Sequence, residues 1–492
     1  MNKKIIKSVY INLIITVLVG FLSFIVNKYF ASYMGAEDLG LMKLFTQLIA
    51  YLSLADMGLS TASTYALYKP ISENNKEKIS LIISTIDSLY KKISFFIILV
   101  GLVINPIVPL FMKEKMNSNL IYLYWSMYVL NTAISYLFAK YSIIFIADQK
   151  FDYVRIIEGF SKVVSQLLQI WVLVKYHSFL GFISLLILEN LIKYLFYRNH
   201  YRKDYGYIQR TDKSDKTIIK DLGNLFWHKI AEVIVFNTDY IIISRFISLS
   251  MVGIYSSYLM VVSIITMLVR VLINVLSPKI GAYIAINKKN DIYIYWKNMN
   301  VLFIFLGTIL TFVTYKLINS FVLLWLGKDY MLPGITIKLM MVNLFIQITR
   351  GIVDVFKSNS GFFDDIHLPA LEGAINLILS VILVNYIGLN GIIIGTVVSN
   401  ILIIYLAKPI LVFRRCFDQR GREYLKILFE YLVLISTSML ISNYIVEKFN
   451  IEIFSWVQWI IKSLLVGIIT SIITIITFLL NKNFRNLIRK RR

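Results

Sequence analysis

Three long apolar runs of this chain carry polar and ionisable side chains at helical spacing. Within each run these residues stand at relative positions 0, 4 and 11 or 0, 4, 7 and 11, so they share one face of a helix. The three sets are His228, Glu232 and Asp239; Asn343, Gln347, Arg350 and Asp354; and Glu158, Lys162, Ser165 and Gln169. Because a charge in apolar surroundings is costly, each face predicts contact with a hydrated cavity.

Other cations in apolar runs are candidates for holding an anion. Arg270, with Asn274 one turn further on, favours an anionic ligand because a guanidinium binds phosphate through two hydrogen bonds. Helix packing is the alternative role for this pair. Lys43 and Lys229 could bind a phosphate group on the cytoplasmic side of a membrane. Either amine could equally extend to the membrane surface.

The carboxylates of these runs also allow two readings. Asp56 could be a protonatable coupling group, although a hydrogen bond in helix packing is favoured. Glu158 with Lys162, and Arg350 with Asp354, also fit i, i+4 pairs near helix ends that neutralise each other.

The elements that carry these residues are predicted to be membrane-spanning helices. Of the 492 residues, 58% are hydrophobic and only 16% are charged, and the mean hydropathy is +0.70. A spanning helix needs about 20 apolar residues. Runs of that kind lie near residues 8–34, 41–67, 93–112, 120–146, 156–174, 180–197, 222–247, 252–276, 299–324, 336–356, 368–387, 390–412, 428–447 and 456–480. The sequence therefore predicts an all-α polytopic membrane protein of about 14 transmembrane helices, with no soluble domain large enough to be an enzyme.

The net charge of +23 is distributed as the membrane topology requires. Basic clusters such as Arg198, Arg202 and Lys203, or Arg414 and Arg415, fall in alternate connections, while the other connections are poor in Lys and Arg. This pattern follows the positive-inside rule and does not form a nucleic-acid face, so nucleic acid is not an expected partner. Both termini are predicted to lie in the cytoplasm.

Several classes of chemistry lack their residues in this chain. The sequence contains no GxxxxGK[ST] motif for ATP, and four histidines with one cysteine, Cys416, provide no metal-binding or Cys-His catalytic set. No cofactor and no enzymatic activity are therefore expected.

Short matches at one period indicate an internal duplication. Gly40 aligns with Gly253, Glu158-Gly159 with Glu372-Gly373, and Gly181 and Asn190 with Gly391 and Asn400, at offsets of 210 to 214 residues. Six predicted spans separate the copies, so the two six-helix lobes would share one orientation. The predicted division is a first lobe over 1–205, a second over 206–415, and two further helices with a basic tail over 416–492.

An ordered set of short motifs resembles bacterial oligosaccharide flippases. These O-antigen and capsule repeat-unit translocases belong to the multidrug/oligosaccharidyl-lipid/polysaccharide exporter superfamily. The motifs are Tyr33–Gly40, Asp56–Leu59, Thr238–Ile242, Val252–Ser256, Leu324–Tyr330, Asn376, Ile387–Gly391 and Gly395-Thr396.

This resemblance implies transport of an undecaprenyl-pyrophosphate-linked oligosaccharide across the bacterial cytoplasmic membrane by alternating access. The bilayer and this lipid-linked substrate are then the expected partners, with polysaccharide polymerase machinery as a further one. The head group would be bound by cationic and amide residues, namely Arg270, Lys229, Arg350, Lys43, Lys162, Asn274 and Gln347. Carboxylates would couple H⁺ or Na⁺ to the transition, with Asp56, Asp239, Glu232, Asp354 and Glu158 as candidates.

Two alternatives remain open at this stage. A lipid II or multidrug exporter of the same superfamily would share the architecture and differ in cargo. A membrane polymerase or ligase of lipid-linked glycans would need a large extramembrane loop, and the span pattern predicts none.

Overall fold

A computed structural model describes residues 3–53, 58–114, 116–209, 211, 238–362, 365, 367–449 and 451–489. The described chain is almost entirely helical and contains no β-strand. It forms two compact units, Met1–Gly253 and Ile254–Arg492. The lobe boundaries expected from the sequence, at 205/206 and 415/416, and the parallel relation of the lobes stay predictions.

Unit 1 contains the helices of the first six predicted spans and the described end of the seventh. They are α1 (Lys3–Leu52), α2 (Leu59–Ser72), α3 (Lys76–Ile104), α4 (Ser118–Leu137), α5 (Ala139–Ala147), α6 (Phe151–Tyr176), α7 (Phe179–Tyr205) and α8 (Asp239–Phe246). α6 packs between α1 and α7, α7 also contacts α4, and α2 lies against α3 and α5. Apolar side chains such as Ile83, Phe145 and Tyr197 fill the core of this unit.

Unit 2 contains most of α9 and all later helices. They are α9 (Leu249–Ile286), α10 (Lys289–Leu326), α11 (Gly334–Asn359), α12 (His367–Ile387), α13 (Leu389–Asn400), α14 (Lys408–Cys416), α15 (Gly421–Lys448), α16 (Trp456–Phe478) and α17 (Lys482–Arg489). A π-helix, Ile401–Ala407, joins α13 to α14. The two C-terminal spans, α15 and α16, pack on α10, where Val301, Tyr431 and Phe478 share a core.

The all-α membrane fold is confirmed, but the count of 14 spans is not. Eleven described helices are long and apolar enough to cross a membrane, or 12 when the bent pair α4 and α5 counts as one span. The first difference is α1, whose 50 residues take in the first predicted span and part of the second, with a break at Gly35 (φ 83°), a conformation that glycine adopts readily. The second is that most of the seventh predicted span, 222–247, lies outside the described residues.

Candidate functional site

An ionic triad joins α6 and α7 of unit 1. Lys162 Nζ lies 3.2 Å from Glu189 Oε2, and Lys193 Nζ lies 2.6 Å from Glu189 Oε1. At 1.5 Å per residue, Lys162 stands about 17 Å from the first residue of α6 and about 21 Å from its last. Glu189 stands about 15 Å and about 24 Å from the two ends of α7. The triad is therefore near the middle of both spans, where ionic groups are rare and usually functional.

The triad faces away from the lipid-exposed sides of its helices. Six of the eight large apolar residues exposed on α6 form one stripe at helical spacing, namely Tyr153, Ile156, Phe160, Leu167, Trp171 and Val174, and the other two, Phe151 and Tyr176, lie at the helix ends. Lys162 lies about half a turn from the centre of that stripe. Lys193 is likewise well away from the exposed Leu188, Leu191 and Leu195 of α7, and the exposed Phe196 lies beside it. Both ammonium groups thus lie away from the main apolar stripes of their helices.

Buried polar groups extend this side of α6. Ser165 Oγ donates to the carbonyl of Leu185 at 3.1 Å, and Gln166 donates to Ser23 Oγ at 2.7 Å. The amide nitrogen of Gln169 and the hydroxyl of Ser161 are buried and have no hydrogen-bond partner among the residues described. Spare hydrogen-bonding capacity at this depth is costly unless water or a polar ligand satisfies it.

A second ionic cluster lies in unit 2, closer to the ends of its helices. Asp354 Oδ1 is 2.8 Å from Lys408 Nζ, and Asp354 Oδ2 is 3.5 Å from Arg350 Nε. Asp354 stands about 8 Å from the last residue of α11, and Lys408 about 12 Å from the last residue of α14. The buried Glu372 of α12 is within electrostatic range of all three. The predicted Arg350–Asp354 pair exists, and Lys408 makes it a cluster.

A narrow cavity adjoins this second cluster. Its polar lining consists of Asn300, Thr349, Arg350, Tyr405, Tyr424 and Tyr431. Thr349 and Tyr405 share a hydrogen bond, and Tyr405 belongs to the π-helix. π-Helical turns are rare in proteins overall, but those that occur are often found at functional sites. This part of unit 2 is therefore a second candidate site.

The predicted substrate residues have different surroundings. Arg270 and Asn274 are exposed on α9, and in the described part of the chain Arg270 makes no ion pair. Gln347 is exposed on α11 and Lys43 is partly buried on α1. These assignments stay predictions, as do those of Lys162 and Arg350.

The predicted coupling carboxylates are only partly described. Glu158 pairs with Arg155 at 3.8 Å and not with Lys162, so the i, i+4 pair that was one alternative is not formed there. Asp239 is the first residue of α8. Asp56, His228, Lys229 and Glu232 lie outside the described residues.

Four charged residues of the two clusters were not among the site candidates read from the sequence. Glu189 and Lys193 stand at i, i+4 inside the sixth predicted span, and Lys408 lies in the apolar run 390–412. Glu372 had been used only to align the repeats. The useful signal was the same in each case, namely an ionisable residue within an apolar run.

A third ionic group ties the start of α6 to the end of α7. Lys150 Nζ is 2.9 Å from Asp204 Oδ2 and 2.9 Å from Asp148 Oδ2, while the Tyr205 hydroxyl donates to Asp148 at 2.6 Å. Burial disfavours the Lys150 ammonium, but its hydrogen bonds to Asp204 and Asp148 outweigh that effect and raise the pKa of Lys150. Among the described residues no three His, Cys, Asp or Glu side chains are arranged to hold a metal ion.

These features define a multi-pass α-helical membrane protein that holds ionic groups inside its spans. The chain belongs to the polysaccharide biosynthesis protein family, whose sequence profile matches residues 5–284. The resemblance found in the sequence motifs is thereby confirmed at the level of the family.

The fold is shared with solved membrane transporters. It is similar to the lipid II flippase MurJ in an inward closed conformation, with a TM-score of 0.71, 16% identity, and coverage of 97% of this chain and 99% of that one. For an inward-facing multidrug resistance MATE family transporter of the MOP superfamily the values are 0.64, 16%, 81% and 96%. For the MATE transporter VcmN of Vibrio cholerae they are 0.56, 14%, 85% and 98%. No curated protein sequence matches the chain.

Proposed function

We propose that this chain is a flippase for undecaprenyl-pyrophosphate-linked oligosaccharide repeat units in the bacterial cytoplasmic membrane. The observation that carries the proposal is the mid-span triad of Lys162, Glu189 and Lys193 in a member of a polysaccharide biosynthesis family. A transporter of apolar cargo has no need of three charges at that depth, whereas an anionic, sugar-bearing head group does. The similarity of the fold to a lipid II flippase supports the same class of substrate.

The physical task is to move a polar head group through oil while the lipid tail stays in the bilayer. Cations would attract the pyrophosphate, with Arg270, Arg350, Lys43, Lys229 and Lys162 as candidates. Amide groups of Asn274 and Gln347 would bind sugar hydroxyls. The chain would alternate between states open to either side, with both termini in the cytoplasm and a polysaccharide polymerase receiving the product.

Coupling of this transition to an ion gradient rests on carboxylates within the spans. Asp239, Asp354 and Glu158 are the described candidates, and Asp56 and Glu232 complete the set. Binding of H⁺ or Na⁺ would bias one state only if the ion binds that state more tightly.

The experiment is transport by the full chain in liposomes that contain a fluorescent undecaprenyl-pyrophosphate-linked oligosaccharide, followed by loss of accessibility to an added glycosidase. Arg270→Ala is expected to lower the initial rate at least tenfold while the protein still inserts. Lys69→Ala, at a solvent-exposed cation of α2, is the matched control and is expected to transport normally. Unchanged transport by Arg270→Ala would remove that role, and no transport by the unaltered chain would refute the proposed function.

A lipid II flippase is the second candidate, because the fold likeness to MurJ covers 97% of this chain. The same liposomes loaded with lipid II, or with a cationic drug, separate these functions. Preferred transport of lipid II would replace the repeat unit as cargo, and preferred drug transport would replace both. Elongation of the glycan by the purified chain would identify a polymerase instead.

A further inference from the structure

The geometry points to Glu189 as a resident counter-ion that ejects a phosphate group from a binding site made by Lys162 and Lys193. This inference rests on the proposed function. It gives Glu189 a role in the release of the head group, whereas the lysines bind it. Neither Glu189 nor Lys193 has a role in the account given so far beyond forming the triad.

The two lysines are spaced for a single anionic group. Each ammonium contacts a different oxygen of one carboxylate, at 3.2 Å for Lys162 and 2.6 Å for Lys193. A phosphate group likewise presents several oxygens around one centre, so it can bridge the same two ammonium groups. Each ammonium has three N–H donors, and in the described structure its hydrogen bonds go only to Glu189. Donors for a ligand therefore remain on both lysines.

Replacement of the Glu189 carboxylate by a phosphate requires that the lysines be more exposed than the glutamate, and they are. Glu189 is 7% exposed, whereas Lys193 is 20% exposed and Lys162 is 36% exposed. Lys162 lies opposite the main exposed apolar stripe of α6, so its accessible surface is on the other face of the helix. An incoming phosphate can thus reach the lysines, while the carboxylate stays behind them as a permanent competitor.

The charge balance gives this competitor a purpose. Two ammonium groups and one carboxylate leave a net charge of +1, whereas the lysines without Glu189 would present +2. A site of +2 in the low-dielectric centre of a membrane would hold a pyrophosphate too tightly to release it. Glu189 weakens binding by reclaiming the lysines, and transport needs a site that the substrate can leave.

The unit 2 hairpin supports a specific role for these charges. Under the offsets of the internal alignment, Lys162, Glu189 and Lys193 correspond to Asn376, Ser399 and Ile403. Asn376 donates to Thr396 at 3.2 Å, so an uncharged hydrogen bond joins the corresponding helices there. A hairpin of this kind therefore packs without an ionic triad.

The test measures binding of undecaprenyl pyrophosphate, without sugar, to the full chain in nanodiscs of zwitterionic lipid. Glu189→Gln is expected to tighten binding about tenfold and to slow flipping of the complete lipid-linked substrate, because release becomes slower. Lys162→Met and Lys193→Met are expected to weaken binding about tenfold. Lys175→Met, at the far end of α6 against Trp171 and Tyr176, is the matched control and should bind as the unaltered chain does.

Equal or weaker binding by folded Glu189→Gln would overturn the inference, since a purely structural carboxylate cannot give tighter binding when removed. If Glu189→Gln does not insert, Lys193→Met provides a background without repulsion between lysines. Adding Glu189→Gln to Lys193→Met must then tighten binding, and failure to do so overturns the inference equally. If the unaltered chain flips the substrate but the variants do not differ in binding as expected, this inference alone is rejected. If the variants differ in binding as expected but the unaltered chain does not flip the substrate, the proposed function alone is rejected.

Discussion

The α6–α7 hairpin of unit 1 and the α12–α13 hairpin of unit 2 share an amide contact but differ in charge. In unit 1, Asn190 of α7 donates to Asn131 Oδ1 of α4 at 2.8 Å. In unit 2, Asn400 of α13 donates to Asn343 Oδ1 of α11 at 2.8 Å. The internal alignment pairs Asn190 with Asn400, and Asn131 and Asn343 are 212 residues apart in the sequence. Only the first hairpin adds an ionic triad between its helices.

This difference separates scaffold from function. An asparagine pair satisfies its own polar groups inside a membrane and fixes how two helices meet. A lysine–glutamate–lysine triad costs more to bury. It is not needed to join the two helices of a hairpin, because α12 and α13 are joined by the uncharged Asn376–Thr396 hydrogen bond. We therefore interpret aligned positions that share a hydrogen bond as structural, and aligned positions that are charged in only one unit as candidates for substrate chemistry.

The largest difference in stability is expected between removal of the Glu189 carboxylate in unit 1 and removal of the aligned Ser399 hydroxyl in unit 2. Glu189→Ala should lower the free energy of unfolding by about 3 kcal/mol, because it leaves two ammonium groups side by side without a counter-ion. This is the lower end of the range for buried pairs, since Lys162 is partly exposed. Ser399→Ala removes one hydroxyl that donates to Thr396 O, and should cost less than about 1 kcal/mol.

Unfolding of each variant in mixed detergent micelles, followed by circular dichroism, gives both values. Similar losses for Glu189→Ala and Ser399→Ala would mean that the triad is no more than a packing contact. The comparison between a charged and an uncharged hairpin would then lose its functional meaning.

The sequence predicted the helices and one of the three residues of the triad, Lys162, for identifiable reasons. Apolar runs and the spacing of Glu158, Lys162, Ser165 and Gln169 placed a polar face on one helix, and α6 is continuous over all four. The partner of Lys162 could not be predicted in the same way, because Glu189 comes from another helix. Which two helices pack, and in which rotation, depends on tertiary contacts that helical spacing does not contain.

The break in α1 and the cluster in unit 2 escaped prediction for a similar reason. Gly35 lies between the predicted spans 8–34 and 41–67, whereas the helix resumes directly after it. Lys408 lies on α14 and Asp354 on α11, so their contact depends on how the two helices pack and not on spacing along either one. The π-helical segment before Lys408 also departs from regular α-helical spacing.

The second contrast concerns how tightly the two hairpins pack. A Cβ on Gly391 would lie 2.4 Å from the backbone carbon and oxygen of Leu383, whereas a Cβ on the aligned Gly181 would lie 2.8 Å from the side chain of Val172. Backbone cannot yield as a side chain can, so Gly391→Ala should cost about 2 kcal/mol. Gly181→Ala should cost about 1 kcal/mol.

The same micelle unfolding measurement tests this difference, with Gly467→Ala as the control because no atom lies within 4 Å of its added Cβ. The control should not lower stability, because alanine is favoured over glycine inside a helix by up to about 1 kcal/mol. A larger loss at Gly181 than at Gly391 would contradict the assignment of the closer helix approach to unit 2.

The smallest contrast is expected where the hairpins agree. Hydrogen bonds between membrane helices are worth about 0.6 kcal/mol on average, so Asn400→Ala should cost about that much. Asn190 also approaches the carbonyl of Asn131 at 3.1 Å, and Asn190→Ala should therefore cost slightly more, about 1 kcal/mol. Double-mutant cycles with Asn131→Ala and Asn343→Ala isolate each pair from unrelated effects of the substitutions.

Coupling energies of the same sign and similar size in the two cycles would support a shared scaffold, since the contact would then do the same work in both units. A strong coupling in unit 1 with none in unit 2 would instead make the Asn190–Asn131 contact part of the charged site. In that case the amide pair would hold α7 in the rotation that brings Glu189 to Lys162. Asn190, the residue after Glu189, would then count as a functional position and not as a structural one.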